Sequence, residues 1–129
     1  MPIAIFNMQN QLVGGVVIES EQLGWLYRGN ERIGRVEVDW GEEDQEHVSE
    51  AFVKGECKSH LVLERYGLAS GKLTRGYEEL GQVRSLGAGK FGLFRGEQQL
   101  GWMENKGNPV SGKHIILFGG AAAAALMEL

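Results

Sequence analysis

Short apolar runs alternate with turn residues along most of the chain, and three of them share one pattern around an Arg-Gly dipeptide. Residues 26–36, 73–83 and 93–103 each read Leu-x-Arg-Gly-x-x-x-(Ile/Leu)-Gly-x-apolar. Alternating apolar positions on both sides of a glycine-containing turn are typical of a β-hairpin. The pattern therefore predicts three hairpins, and residues 3–18 fit a fourth, degenerate copy.

Other segments rich in β-branched and aromatic residues predict further strands. These strands cover residues 36–40, 59–66, 82–86 and 114–118. One internal segment breaks the alternation, because Val48, Ala51 and Phe52 recur at helical spacing after an acidic start and before Gly55. Acidic residues at the beginning and a glycine at the end are helix signals, so residues 42–54 are predicted to form a helix.

The end of the chain is apolar on every side. Residues 115–127 contain only apolar side chains and glycine, including five consecutive alanines. Alanine has the strongest helix propensity, and a helix that is apolar all round belongs in a core. The run is shorter than the about 20 residues that a transmembrane helix needs. We therefore predict a buried helix over residues 121–129; a tail anchor, an oligomer contact or a frayed end is the alternative.

These elements predict a mainly β fold in a single domain covering residues 1–129. The strands fit a closed or nearly closed antiparallel barrel of about 10–12 short strands built from hairpin repeats, which has no exposed sheet edges. A lumen of that width needs filling, and an alanine-rich helix whose backbone hydrogen bonds are already satisfied suits a dry interior. The alternative is a β-sandwich or two small barrels with the tail packed outside.

Composition and charge narrow the function classes. The 129 residues include 20 glycines but two prolines, which indicates many tight turns. A net charge of −4 argues against binding to nucleic acid, which requires a basic surface. The single cysteine excludes an internal disulfide, and the first residues lack the basic region of a secretory signal, so we expect a cytoplasmic protein.

No motif identifies a reaction. Residues 87–92 match G-x-G-x-x-G, but a strand and not a helix is expected after them, so a plain turn is favoured over a nucleotide site. The three histidines lack the close pairing of a zinc site, and the acidic residues between 39 and 46 do not follow calcium-loop spacing. Cys57 has no nucleophile motif around it. We therefore predict that the protein is not an enzyme, that it has no catalytic residue, and that it binds neither a cofactor nor a metal.

The order of elements resembles the tubby C-terminal-like group, which includes LURP-one-related proteins and phospholipid scramblases. The resemblance rests on the Leu-x-Arg-Gly-x-x-x-apolar-Gly hairpins within residues 3–118, followed by the apolar end at 119–129. It implies a closed barrel around a hydrophobic C-terminal helix and a non-enzymatic module associated with lipid. No family motif matches residue by residue, so the resemblance implies no site residue.

The distribution of charge points to an anion as ligand. Residues 1–57 carry 11 acidic and 4 basic side chains, whereas residues 58–129 carry 6 acidic and 9 basic ones. The anion-binding candidates are the basic residues Lys72, Arg75, Arg84, Lys90 and Arg95. We predict a binding module for anionic lipid or another anionic ligand; the alternative is an interaction or scaffold domain for a protein partner, and the oligomeric state stays open.

Overall fold

Ten antiparallel strands close into a barrel in the computed structural model, which describes residues 2–43, 45–64, 70–107 and 109–129. The strands are β1 (Ile3–Asn7), β2 (Leu12–Ser20), β3 (Leu23–Arg28), β4 (Glu31–Asp39), β5 (His47–Val53), β6 (Glu56–Leu63), β7 (Ser70–Arg75), β8 (Glu78–Gly87), β9 (Lys90–Arg95) and β10 (Gln98–Asn105). Each strand pairs with the next one along the chain, and β10 pairs with β1 to close the sheet. The predicted closed antiparallel barrel and the mainly β fold class are confirmed.

The four predicted hairpins are β1–β2, β3–β4, β7–β8 and β9–β10, and β5–β6 is a fifth. Because the strands alternate in direction, the turns of all five hairpins lie at one end of the barrel, which we call the repeat end. Gly29, Gly76 and Gly96 open two-residue turns there with φ of 61°, 59° and 60°. Glycine adopts this backbone at little cost, which explains its place in the Arg-Gly dipeptide.

The rest of the repeat encodes a β-bulge. In each repeat-end hairpin the second strand carries one residue more than its partner strand at the same level. The five extra residues are Val13, Ile33, Lys58, Leu80 and Leu100. A bulge bends its strand and increases the local twist, which helps a sheet to close.

The glycine after the bulge allows adjacent hairpins to approach closely. A Cβ atom on Gly34 would overlap the carbonyl oxygen of Phe52 on β5, and one on Gly81 would overlap that of Phe94 on β9. A Cβ atom on Gly101 would lie 2.6 Å from the carbonyl oxygen of Phe6 on β1. These glycines are therefore structural residues.

The predicted helix over residues 42–54 is wrong, because His47–Val53 form strand β5 between β4 and β6. Two of the inward positions on β5 hold polar residues, His47 and Ser49, which hide the alternation expected of a strand. Both are buried and both bond to backbone: Nδ1 of His47 lies 2.7 Å from the carbonyl oxygen of Trp40, and the Ser49 hydroxyl donates to Leu117 at 2.7 Å.

A helix fills the barrel from one end to the other. It consists of an α-helical turn (Gly112–His114), a π-helical segment (Ile115–Gly120) and an α-helix (Ala121–Leu126), together called the central helix. The predicted strand over residues 114–118 is therefore wrong, since His114 ends the first helical turn and residues 115–118 are buried in the π-helical segment. The predicted buried helix at the alanines is confirmed, because Ala121–Leu126 are all buried.

Small residues let the central helix fit the lumen. Cβ atoms on Gly119 and Gly120 would lie 2.8 Å from the sulfur of Met103 and 2.6 Å from the side chain of Leu61. The hydroxyl of Ser59 on β6 donates to the carbonyl oxygen of Ala121 at 2.6 Å, which pairs a polar group of the wall with the helix backbone. In the described parts of the chain, no helix is both long and apolar enough to cross a membrane.

Replacing Gly34 by Ala tests the close approach of hairpins. The added Cβ atom meets backbone that has no room to move, so Gly34→Ala should lower the free energy of unfolding by about 1–3 kcal/mol. Gly107→Ala is the control, because its Cβ atom would lie 3.5 Å from Pro2, an ordinary contact. Equal stabilities of the two variants in urea denaturation would contradict the role given to Gly34.

Replacing Ala123 by Asp tests the burial of the central helix. Ala123 is fully buried, so the new carboxylate would have no water and no partner, and Ala123→Asp should cost at least about 3 kcal/mol. The matched control is Ala88→Asp, since Ala88 is exposed in a turn with φ of 53°, a conformation that Asp tolerates. A melting temperature of Ala123→Asp equal to that of the control would place the helix outside the core.

Candidate functional site

Two arginines of the repeat, Arg28 and Arg75, lie beside the end of the central helix. Arg28 and Arg75 each follow a buried leucine by two residues, so they continue the inward-facing row of β3 and β7 at the repeat end. Arg28 Nη2 donates to the carbonyl oxygen of Leu126 at 3.2 Å, in the last turn of the helix. A cation at this position compensates the negative end of the helix dipole.

Two repeat arginines also satisfy carbonyl groups at the bulges. Arg75 Nε donates to the carbonyl oxygen of Lys58 at 2.9 Å, and Arg95 Nε donates to that of Leu80 at 3.4 Å. Lys58 and Leu80 are the extra residues of the preceding hairpins, whose backbone groups a bulge leaves without a ladder partner. Part of the function of these arginines is therefore structural.

The hairpin β5–β6 departs from the repeat at its bulge and also at its turn, where Val53 and Lys54 stand in place of the arginine and the glycine. Its bulge residue is Lys58, where the other hairpins have Val, Ile or Leu, and Ser59 stands in place of the glycine. Beside this hairpin lies a cavity of about 730 Å³, which we call the rim cavity. Its lining comprises Arg28, Glu31, Ile33, Val53, Lys54, Glu56, Cys57, Lys58, Arg75, Ala125 and Glu128. The cavity thus opens at the repeat end, next to the last turn of the central helix.

The charges that line the rim cavity are mixed, with four basic and three acidic side chains. Lys58 and Glu56 form an ion pair of 2.9 Å, and the hydrogen bond and charge of Lys58 lower the pKa of Glu56. The remaining cations are Arg28, Lys54 and Arg75. They face only two further carboxylates within the lining, so the cavity carries a small positive excess.

Cys57 is an exposed thiol at the wall of this cavity. Its sulfur lies 3.4 Å from Glu50 Oε2 and 3.5 Å from the carbonyl oxygen of Ser59. Partial burial of the sulfur atom raises the pKa of the Cys57 thiol, and the hydrogen bond to Glu50 and the charge of Glu50 raise the pKa further. The thiol is therefore mostly protonated at neutral pH and a poor nucleophile.

The five basic residues predicted from the sequence lie in different places. Arg75 lines the rim cavity, whereas Arg84 and Arg95 share another cavity of about 460 Å³ with Glu79 and Glu97. The guanidinium of Arg84 stacks 4.0 Å above the Phe94 ring, and its Nη2 donates to the carbonyl oxygen of Gly96 at 2.6 Å. In this second cavity the two cations are balanced by two carboxylates.

Lys72 and Lys90 are separate from these groups. Lys72 lines a cavity of about 490 Å³ together with Glu46 and Glu64, and the Lys90 amino group lies 5.0 Å from the centre of the Trp102 ring. The sequence analysis missed Arg28, Lys54 and Lys58. Lys54-Gly55 form the turn of β5–β6 at the place that Gly29 and Asn30 have in β3–β4, so Val53 stands where that hairpin has Arg28. The Arg-Gly pattern therefore gave no signal for this hairpin.

The other sequence motifs have structural positions. Ala88 and Gly89 form the two-residue turn between β8 and β9, so the predicted plain turn is confirmed. His114 Nε2 lies 2.8 Å from Glu21 Oε2, and His60 lies 3.9 Å from Glu50. Ser111 caps the start of the central helix, because its hydroxyl accepts from the backbone N–H of His114 at 3.2 Å. Across the described ranges, no three His, Cys, Asp or Glu side chains group as metal ligands would. Within the acidic segment, Asp44 lies outside the described residues.

Comparison of the chain with protein-family models, with curated proteins and with solved structures gives no match in any of the three.

The pH dependence of thiol alkylation tests the environment of Cys57. We expect the rate with iodoacetamide to reach half its maximum at a pH above that of an unperturbed cysteine, because burial and Glu50 disfavour the thiolate. Glu50→Gln should shift this midpoint to lower pH by removing the nearby negative charge. Glu97→Gln, which changes a carboxylate in another cavity, should leave it in place. A midpoint that does not move in Glu50→Gln would contradict the assignment.

Proposed function

We propose that this protein is a non-enzymatic binding module and that the rim cavity takes the anionic group of its ligand. Arg28, Lys54 and Arg75 supply the charge, and guanidinium groups suit carboxylate, sulfate and phosphate oxygens because they donate paired hydrogen bonds. The observation that carries the proposal is the departure of β5–β6 from the repeat. The hairpin that lacks the apolar bulge residue is the one beside this cavity.

The architecture supports the same class of function. A closed barrel around a C-terminal helix is what the resemblance to tubby C-terminal-like domains implied, although the barrel here has ten strands. We keep an anionic membrane surface as a source of the anionic group, and a cytoplasmic location as part of the proposal. Nucleic acid is not proposed as a partner, because the net charge is −4.

Titration with anilinonaphthalene sulfonate, an anionic fluorophore, tests the site. Arg75→Gln and Lys54→Gln remove one charge each from the rim cavity, and we expect Arg75→Gln to raise the Kd about tenfold, as loss of one charged hydrogen bond would. Lys54→Gln should raise it less, because the Lys54 side chain is exposed. Added salt should weaken binding to the parent protein.

The matched control is Arg95→Gln. Arg95 has the same place in the repeat as Arg75 and bonds a bulge carbonyl in the same way, but it lies outside the rim cavity. Any general loss of stability should therefore appear in both variants, whereas loss of binding should appear only in Arg75→Gln. Equal Kd values for Arg75→Gln and Arg95→Gln, or no binding by the parent protein, would refute the proposed site.

Vesicles distinguish a membrane from a free ligand as the source of the anion. Sedimentation with phosphatidylserine vesicles that is lost in salt, and absent with phosphatidylcholine, would identify a lipid surface.

The second candidate function is recognition of a protein partner at the repeat end. Met8, Leu12 and Tyr77 favour it, because they are large apolar side chains exposed on the turns or strand starts at that end.

A further inference from the structure

We infer that the ligand of the rim cavity is a singly charged amphipathic anion, such as an aliphatic carboxylate, and not a polyanion such as a multiply phosphorylated headgroup. This inference rests on the proposed function and specifies its ligand class. Two features of the cavity carry it: the small size of its positive excess and the apolar residues in its lining.

The balance of charge in the cavity matches one negative charge on the ligand. With Lys58 paired to Glu56, the other charged residues of the lining are Arg28, Lys54 and Arg75 against Glu31 and Glu128. The central helix directs its negative end at the same place, since the Leu126 carbonyl accepts from Arg28. A second or third negative charge on a ligand would therefore face carboxylates and carbonyl oxygens without an available cation.

The apolar lining provides a place for a hydrocarbon chain. Ile33 is the bulge residue of β3–β4 and Val53 ends β5; both are partly buried and pack against the core, and the buried Ala125 lies in the last turns of the helix. These residues and the guanidinium groups of Arg28 and Arg75 line one cavity of about 730 Å³. Covering apolar side chains with a hydrocarbon tail is favourable, whereas a strongly hydrated polyanion would leave them in contact with water.

A series of straight-chain carboxylates from butyrate to decanoate, compared with inorganic pyrophosphate, tests the inference on the unaltered protein. We expect the affinity to rise about two- to fourfold per methylene group over the part of the series that the apolar lining contacts. Pyrophosphate should bind more weakly than decanoate. In methyl NMR spectra, decanoate should shift Ile33 and Val53 but not Leu80 and Leu100, which are bulge residues of the hairpins outside the cavity.

A double variant tests the electrostatic selection. Glu31→Gln with Glu128→Gln removes both of the carboxylates of the lining that form no ion pair with a described residue. The free energy of binding of each ligand should become more favourable in proportion to its negative charge. Pyrophosphate carries about three negative charges near neutral pH. The factor by which its affinity rises should therefore be about the cube of the factor for decanoate. Glu79→Gln with Glu97→Gln removes the same charge from the cavity of Arg84 and Arg95. This control should leave the ratio of the pyrophosphate affinity to the decanoate affinity unchanged.

The outcomes separate the two proposals. Pyrophosphate that binds at the rim cavity more tightly than decanoate would overturn the ligand class and leave an anion site in place. Decanoate that binds without shifting Ile33 and Val53, or with no dependence on chain length, would also overturn the inference. Absence of binding by every anion in the series and by the fluorophore would overturn both proposals.

Discussion

The interior of a closed ten-strand sheet must be filled, and this requirement governs the rest of the molecule. The wall contributes large side chains such as Leu26, Leu61 and Leu93, so the filling element has to be slender. An α-helix satisfies its own backbone hydrogen bonds and can therefore enter a dry interior, but only with small residues where the wall approaches it. The alanines and Gly119-Gly120 meet that condition, because Cβ atoms on the two glycines would collide with Met103 and Leu61.

The same constraint explains why the hairpins repeat. A sheet that closes around a helix needs regular bends, and a bulge followed by a glycine provides one at each repeat-end hairpin except β5–β6, where Ser59 follows the bulge. Ser59 also bonds the helix backbone, so this hairpin holds the filling element by a polar contact. At the bulge of β5–β6, Lys58 pairs its amino group with Glu56, whereas the other hairpins have an apolar side chain there. The rim cavity lies at this departure from the repeat.

The sequence predicted the closed barrel, four hairpins and the buried alanine helix, since each has a local signal. It failed over residues 42–54, because the buried polar residues His47 and Ser49 concealed the alternation of strand β5. Their hydrogen-bond partners are carbonyl oxygens of Trp40 and Leu117, outside the strand itself. It failed over residues 114–118 because Ile115 and Ile116 favour strands unless a surrounding wall buries every side of them. The candidate cations were chosen from the charge of one half of the chain, but closure brings Arg28 and Arg75 to the same cavity from opposite halves.

Strand β1 pairs with β10, so the wall cannot close until nearly the whole chain is available. The central helix, which fills the lumen, follows β10 in the sequence. The ribosome therefore synthesises all ten strands of the wall before the helix that they enclose. Until then the hairpins expose their leucine-lined faces and the edges of an open sheet, a state in which chains aggregate. For this molecule, the leucine-lined lumen can be covered only after the apolar segment that follows β10 has been synthesised.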